Sequence, residues 1–380
     1  MKILFVFHEA NLTGASLNLF RMICWFKKNT DFEMSFLFKE GGPLKKIILD
    51  FGDVIEFDVV ASKKTGNINR LWNKIGSSNK RESENFKKIR EKKFDIIYFN
   101  TILSSEFIIS LSSIKAIKVW HIHELGLATS LIGPKRFQIK DKIDFIIANS
   151  KATHDYLVEN GFSIKSIKVL HPVILTEEIL KKSSEDLGAE YELFLKDSFT
   201  IGSAGTVMER KGVQSFILLI KIIDSLYPAN NFKYVWVGSV SLKDRLLIEH
   251  DIHHGELRNK LIFVDERSNP FPFYKRFDVF VSTSKEESFG LCAVECACFK
   301  KPLVCFDKTG GLQELVLKAE NIIVPYLDLM TMANKLIELS ENRNTLTKLG
   351  ESSKKISKEF DENIVMPMFS KYLKELISKE

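Results

Sequence analysis

Residues 279–306 read VFVSTSKEESFGLCAVECACFKKPLVCF, and this stretch decides the fold. It opens on a short apolar run, passes through a polar loop containing Glu287, turns at Ser288-Phe289-Gly290 into a helix bearing Glu295, and closes on a second apolar run. Two β-rich runs joined by a helix make a β-α-β unit. The rhythm extends outward: FTIGSAG, KYVWVG and KLIFV precede it in the carboxyl half, while KILFVF, EMSFLF, DIIYF, IKVWHI and DFIIA mark the amino half. A helical segment from about Ser16 to Phe26 follows the first of these. Runs so rich in Val, Ile and Phe are strands covered on both faces. The expected fold class is α/β, with two Rossmann-like, doubly wound parallel sheets. The expected domains are residues 1–175 and 199–358, joined by a Glu- and Lys-rich linker with a helix at 176–198. A helix over 359–380 should dock its apolar face on the body.

Composition agrees with two packed domains: 380 residues are 45% hydrophobic and 27% charged. The amino end, MKILFVFHEA, has one lysine and five apolar residues before His8 and Glu9, which fits neither a signal peptide nor a span. A cytoplasmic protein is expected. Five cysteines, three of them at Cys292, Cys296 and Cys298, do not form a secreted disulfide framework, and no second cluster supports zinc. Reduced, buried thiols are expected.

The net charge of +6 is uneven: residues 1–175 hold 27 Lys+Arg against 18 Asp+Glu, leaving 28 against 31, or +9 and −3. Eleven basic residues lie between Lys63 and Lys93. With Leu71, Trp72 and Ile75 among them, residues 63–93 fit docking on an anionic membrane or steering of a pyrophosphate-linked acceptor, and equally a solvated face. No nucleic-acid recognition motif accompanies the charge.

Function should concentrate in the loops at the carboxyl ends of the strands. The Glu287 loop brings a carboxylate and free helix-start amides to one such end, where amides bind phosphate oxygens or sugar hydroxyls. Glu295 is expected about two turns deeper. The stretch FTIGSAGTVMERKG places Gly205 after a strand and Arg210, Lys211 and Gly212 at a helix start, a phosphate-binding arrangement. In HEANLTGASLNLF, Gly14 can supply unusual backbone angles and close approach. His123 and Glu124 stand at the end of IKVWHI, with His121 two residues back.

Glu287-x7-Glu295 enclosing Phe289-Gly290-Leu291 resembles the signature of retaining glycosyltransferases of family 4, which have the GT-B fold, and the resemblance covers essentially the whole chain. It implies that Glu287, Ser288, Phe289, Gly290 and Leu291 contact donor sugar and phosphates, and that Glu295 accepts hydrogen bonds from ribose hydroxyls. Gly205 and Lys211 match the family's G-R-L-x-x-x-K-G stretch, in which the lysine neutralises the diphosphate. Thr206 stands where the arginine is usual, leaving open whether Arg210 supplies that charge. Gly14-Ala15 stands where a glycine pair is usual, and Gly238 joins the donor-binding candidates. His123 corresponds to a family histidine near the reacting carbon, so His123 and Glu287 are the candidate catalytic residues.

The implied function is transfer, with retention, from a nucleotide-sugar, UDP-sugar foremost, to a glycan or lipid-linked acceptor in surface polysaccharide assembly. The chain would work in the cytoplasm or peripherally at the inner membrane face. The sequence contains no D-x-D, so no cofactor and no divalent metal is expected. No carboxylate nucleophile is identifiable, which favours front-face attack assisted by the departing phosphate. Two rivals remain: a nucleotide-sugar epimerase, which needs its own acid/base pair, and a silent partner subunit, which Thr206 and Ala15 permit.

Overall fold

The computed structural model describes residues 1–56 and 84–378. Residues 63–83 of the basic stretch, with Leu71, Trp72 and Ile75, therefore lie outside the described residues. Among the described residues, strands β1 (Lys2–Glu9), β2 (Glu33–Glu40), β3 (Asp53–Glu56), β4 (Ile96–Asn100), β5 (Ile117–Ile122), β6 (Phe145–Ala148) and β7 (Ile167–Val169) form one sheet in the order β3-β2-β1-β4-β5-β6-β7. A second sheet, in the order β10-β9-β8-β11-β12-β13, contains β8 (Phe199–Ala204), β9 (Phe232–Val237), β10 (Leu261–Val264), β11 (Val279–Ser282), β12 (Leu303–Phe306) and β13 (Ile322–Val324). Neighbours such as β1 and β4, or β8 and β11, pair in parallel. Both orders reverse beside their first strand, as doubly wound sheets do.

Packing divides the chain into two compact units, Met1–Ile122 with Lys135–Ile146 and Tyr372–Glu380, and His123–Pro134 with Ile147–Lys371. In the first, Phe5 lies opposite Phe36 on β2 and Tyr98 on β4. The rings meet at centroid distances of 6.0 and 5.4 Å, and Phe26 covers them at 6.2 Å. Each buried phenylalanine contributes about 1.5–3 kcal/mol of apolar burial. Phe26 comes from the helix Gly14–Asn29, whose buried Leu19, Met22, Ile23 and Phe26 repeat at helical spacing. This helix extends two residues before and three beyond the sequence expectation. Lys27 and Lys28 complement the dipole of its last turn.

In the second unit, Gly202 on β8 admits the Phe277 ring, which would stand 2.2 Å from any Cβ there. Residues 176–198 form the helices Thr176–Lys182 and Ala189–Phe194, and Ile179, Leu187 and Leu195 are buried in the same apolar cluster as Phe273 and Phe277. Near the carboxyl end, a turn at Lys358–Phe360 precedes the helix Glu362–Ile377. Ile174 pins that turn, donating to the Phe360 carbonyl (2.9 Å) and accepting from the Glu362 amide (3.0 Å). The helix buries Val365, Met366, Phe369, Leu373 and Leu376.

Candidate active site

The second sheet reverses between β8 and β11, so the loops after these strands open at the topological switch point. Gly205 leaves β8 with φ +139°, a region favouring glycine, and its carbonyl accepts Trp236 Nε1 (2.8 Å). Gly238 ends β9 against it, where a Cβ would come within 2.2 Å of the Gly205 carbonyl oxygen. After the turn Glu209–Lys211, Gly212 adopts the left-handed conformation (φ +71°) and starts the helix Val213–Leu226. Any Cβ on Gly212 would meet the Thr283 carbonyl oxygen at 1.9 Å, and Thr283 Oγ1 donates to the Gly212 carbonyl (2.8 Å). The two loops are thereby locked backbone to backbone. This lock turns Lys211 back along Gly205, and its ammonium forms an ion pair with Glu287.

Glu287 is buried. Its amide donates to the Thr309 carbonyl (2.7 Å), and its carbonyl accepts from Gly311 (2.8 Å). Burial alone would favour the neutral acid, but Lys211, the Arg210 guanidinium and the Gly290 N–H together hold its carboxyl below the usual range. Arg210 Nη1 donates to the Glu286 carbonyl (3.3 Å), so its cation stands beside the same loop. Thr206 carries no charge and accepts from Ser239 Oγ (3.1 Å). Ser288 Oγ accepts from Asn149 Nδ2 (3.3 Å).

Gly290, left-handed at φ +88°, turns the chain into the helix Leu291–Ala297. Leu291 packs half-buried against the core. Glu295 is buried one turn into this helix, not two turns from the loop, because the turn through Gly290 consumes half the interval. Phe289 is buried under the turn, stacked on His171 (5.3 Å) and set edge-on to Phe360 (5.2 Å). Its side chain therefore supports the turn. All five cysteines are free, and burial pushes Cys292 up to about 11, with the Tyr274 hydroxyl in hydrogen-bond contact.

His123 lies one residue beyond β5, and its amide donates to Glu124 Oε2 (3.0 Å). Burial lowers its pKa to about 3, so the imidazole is neutral at physiological pH. His121 is separate from it, fully buried with Nδ1 2.6 Å from Tyr98 Oη. The segment after His123 is tied to the Glu287 loop: Leu127 and Ala128 amides donate to the Glu286 carboxylate at 2.7 and 3.0 Å. Gly14 and Ala15 belong to the first unit. Contrary to the sequence expectation, Gly14 does not take an unusual φ; it is the first residue of a helix with open space at its Cβ position. The Ala15 carbonyl accepts Asn100 Nδ2 (3.2 Å).

The structure adds residues that sequence reasoning missed. Glu286 grips the segment after His123, and Glu314 grips the Lys151 and Ala152 amides (3.0 and 2.5 Å). Thr309-Gly310-Gly311 braces Glu287, and Cβ atoms on the two glycines would strike the Glu287 and Ser288 carbonyls at 2.7 and 2.0 Å. The glycine pair separated by three residues from the PLVCF strand was the signal for this brace. The carboxylates gave none. Among the described residues, His8, Glu9 and Glu40 have ligand atoms within 4.8 Å of one another, but Lys39 Nζ stands 3.4 Å from His8 Nε2 and competes with any cation.

Residues 190–356 match the family model of glycosyl transferases group 1. The capsular polysaccharide biosynthesis glycosyltransferase CapM of Staphylococcus aureus is 25% identical over 203 residues, 52% of this chain and 53% of that protein. A Campylobacter jejuni N-acetylgalactosaminyltransferase acting on a diphospho-undecaprenol-linked sugar is 30% identical over 46% of this chain and 44% of its own length. The chain thus spans about half the length of these relatives. Among solved structures, the HepE protein of Anabaena with UDP and glucose superimposes with a TM-score of 0.80 at 18% identity, covering 99% of this chain and 100% of its own. Sucrose-phosphate synthase from Thermosynechococcus elongatus gives 0.81 at 16%, covering 100% of both chains. The two sheets have the GT-B fold, and residues 190–356, rather less than half of the chain, match the glycosyl transferases group 1 model.

Proposed function

We propose that this chain is a retaining glycosyltransferase that takes a sugar from a nucleotide-sugar, UDP-sugar foremost, and passes it to a glycan or lipid-linked acceptor without a divalent metal. The observation that carries the reading is the buried Lys211–Glu287 pair at the switch point, held between Gly205 and the Gly290 turn. Lys211, with Arg210 beside the same loop, takes up the negative charge that develops on the departing diphosphate. The amides of Phe289, Gly290 and Leu291 add the positive end of a helix start. Glu295, one turn further in, accepts from the ribose hydroxyls. Neutral His123 hydrogen-bonds the donor sugar near the reacting carbon, and the acceptor hydroxyl attacks from the face the phosphate leaves. The UDP-bound HepE structure supports a uridine nucleotide at the level of fold. The names of the capsular and undecaprenol-linked relatives support surface polysaccharide assembly, on the cytoplasmic side of the membrane, as the setting. Among the described residues no helix is long and apolar enough to cross a membrane.

Calorimetric titration of UDP, GDP and ADP into metal-stripped protein with EDTA present tests the donor site. Saturable binding of one nucleotide, at least tenfold weaker in Lys211→Ala and Glu295→Ala, is expected. Folded wild type that binds none of the three would instead favour a silent partner subunit, the reading that uncharged Thr206 leaves standing. Radiolabelled UDP-sugars then separate transfer or hydrolysis from epimerisation.

A further inference from the structure

We propose that His250 and His254 form a chelating site for a late first-row divalent cation such as Zn²⁺, Ni²⁺ or Cu²⁺. Both lie near the carboxyl end of the helix Leu242–His254, His250 one turn before His254, where the sequence reads His250-Asp251-Ile252-His253-His254. Residues four apart share one helix face, and the two rings meet with centroids 4.3 Å apart at 46°. Two histidines at this spacing on one face are the arrangement by which helices bind zinc in two-histidine motifs. Imidazole donors suit zinc, nickel and copper rather than magnesium or calcium. Asp251 Oδ1 stands 3.7 Å from His250 Nδ1, which leaves His250 Nε2 for the metal with a carboxylate behind the other ring nitrogen. The His253 ring lies 5.3 Å from that of His254, but among the described residues no third ligand atom joins the pair within 4.8 Å, so the site is a two-histidine one.

His250, His253 and His254 are exposed, so a cation reaches them without rearrangement of the core. The negative end of the helix dipole favours positive charge there. Lys221 brings a positive charge to the same end of the helix, its ammonium 3.2 Å from where a Cβ on neighbouring Gly255 would stand. The helix starts just beyond Gly238 and runs 13 residues, so its last turn lies roughly 18 Å along the axis from the donor-side end. The site therefore takes no part in sugar transfer, and the inference does not depend on the proposed function. With two protein ligands, the remaining positions are open to water, to a small ligand or to a second copy of the chain.

Zn²⁺ is titrated into the metal-free full chain by calorimetry, alongside His250→Ala, His254→Ala and His8→Ala. One saturable site is expected in the wild type, at least tenfold weaker in either helix variant and unchanged in His8→Ala, with unaltered circular dichroism throughout. With Cu²⁺ in place of zinc, electron paramagnetic resonance should show equatorial imidazole nitrogen coupling that diminishes in either helix variant. Wild-type affinity retained in both helix variants, loss of binding in His8→Ala, or no saturable site in the wild type would overturn the proposal.

Discussion

The loop after β1 and the loop after β8 occupy equivalent places in two sheets with the same winding, yet they are built differently. The β8 loop is backbone packed on backbone: Gly205, Gly212 and Gly238 each have positive φ, and Cβ atoms on the last two would collide with carbonyl oxygens. The β1 loop has one such approach, Gly42 on the Ala10 carbonyl (2.2 Å from a Cβ there), and is otherwise tied by side chains, with Ser16 Oγ on the Glu9 carbonyl (2.9 Å) and Thr13 Oγ1 on Asn11 Oδ1 (2.6 Å). Gly14 there has ordinary φ and empty space beside it. The charged pairs follow suit. Lys211 and Glu287 are 15% and 11% exposed, whereas Lys39 and Glu106 of the first unit, 2.6 Å apart, are 26% and 34% exposed. A doubly wound topology supplies two candidate crevices, and local backbone packing decides which one holds buried charge.

Removing the cation from each pair should separate the regions strongly. Lys211→Ala leaves a buried carboxylate with only Arg210 and the Gly290 N–H to offset its charge and should cost about 2–4 kcal/mol. Lys39→Ala should cost about 1 kcal/mol or less. Urea denaturation gives both values, and equal losses would break the contrast. Of similar size, Gly212→Ala combines left-handed strain with a backbone clash and should cost about 2–4 kcal/mol. Gly14→Ala, a helix-start position with room for a methyl, should stay within about 0.5 kcal/mol on the same measurement.

The smallest effect is in acid. Glu287 titrates below its ordinary 4.5, so its contribution to stability is complete above 4.5 and is lost as pH falls through the depressed native value. His8, lowered from 6.5 by burial and by Lys39, binds its proton more readily unfolded, so its loss begins near 6.5. Denaturation midpoints from pH 7 to 3 should show a shallower fall below 4.5 in Glu287→Gln and a shallower fall beginning near 6.5 in His8→Gln. Identical profiles for the two variants would show that the acid responses of the two regions are not distinct.

Much of this arrangement was legible because strand patterning is local. The runs KILFVF, KYVWVG and PLVCF carry enough Val, Ile and Phe to place β1, β9 and β12 and the loops after them. Lys211, Glu287, Gly290 and Glu295 could be nominated from their local motifs and the family resemblance those motifs carry. Their meeting could not, since residues 76 apart are joined only by the fold. Glu286 was invisible for another reason: its partners are the amides of Leu127 and Ala128, and a backbone N–H leaves no trace in residue identity. Gly14 misled because glycine permits a positive φ without requiring one.

The cysteines of the donor-side helix have a practical use. Cys296 and Cys298 are buried, and burial pushes both thiols up, Cys298 to about 11, so neither offers a thiolate to an alkylating reagent in the closed protein. Cys24, half-buried in the first unit, is the internal control. Labelling of Cys296 and Cys298 must therefore wait for the helix to open, and its rate under native conditions times how often the helix bearing Glu295 comes apart.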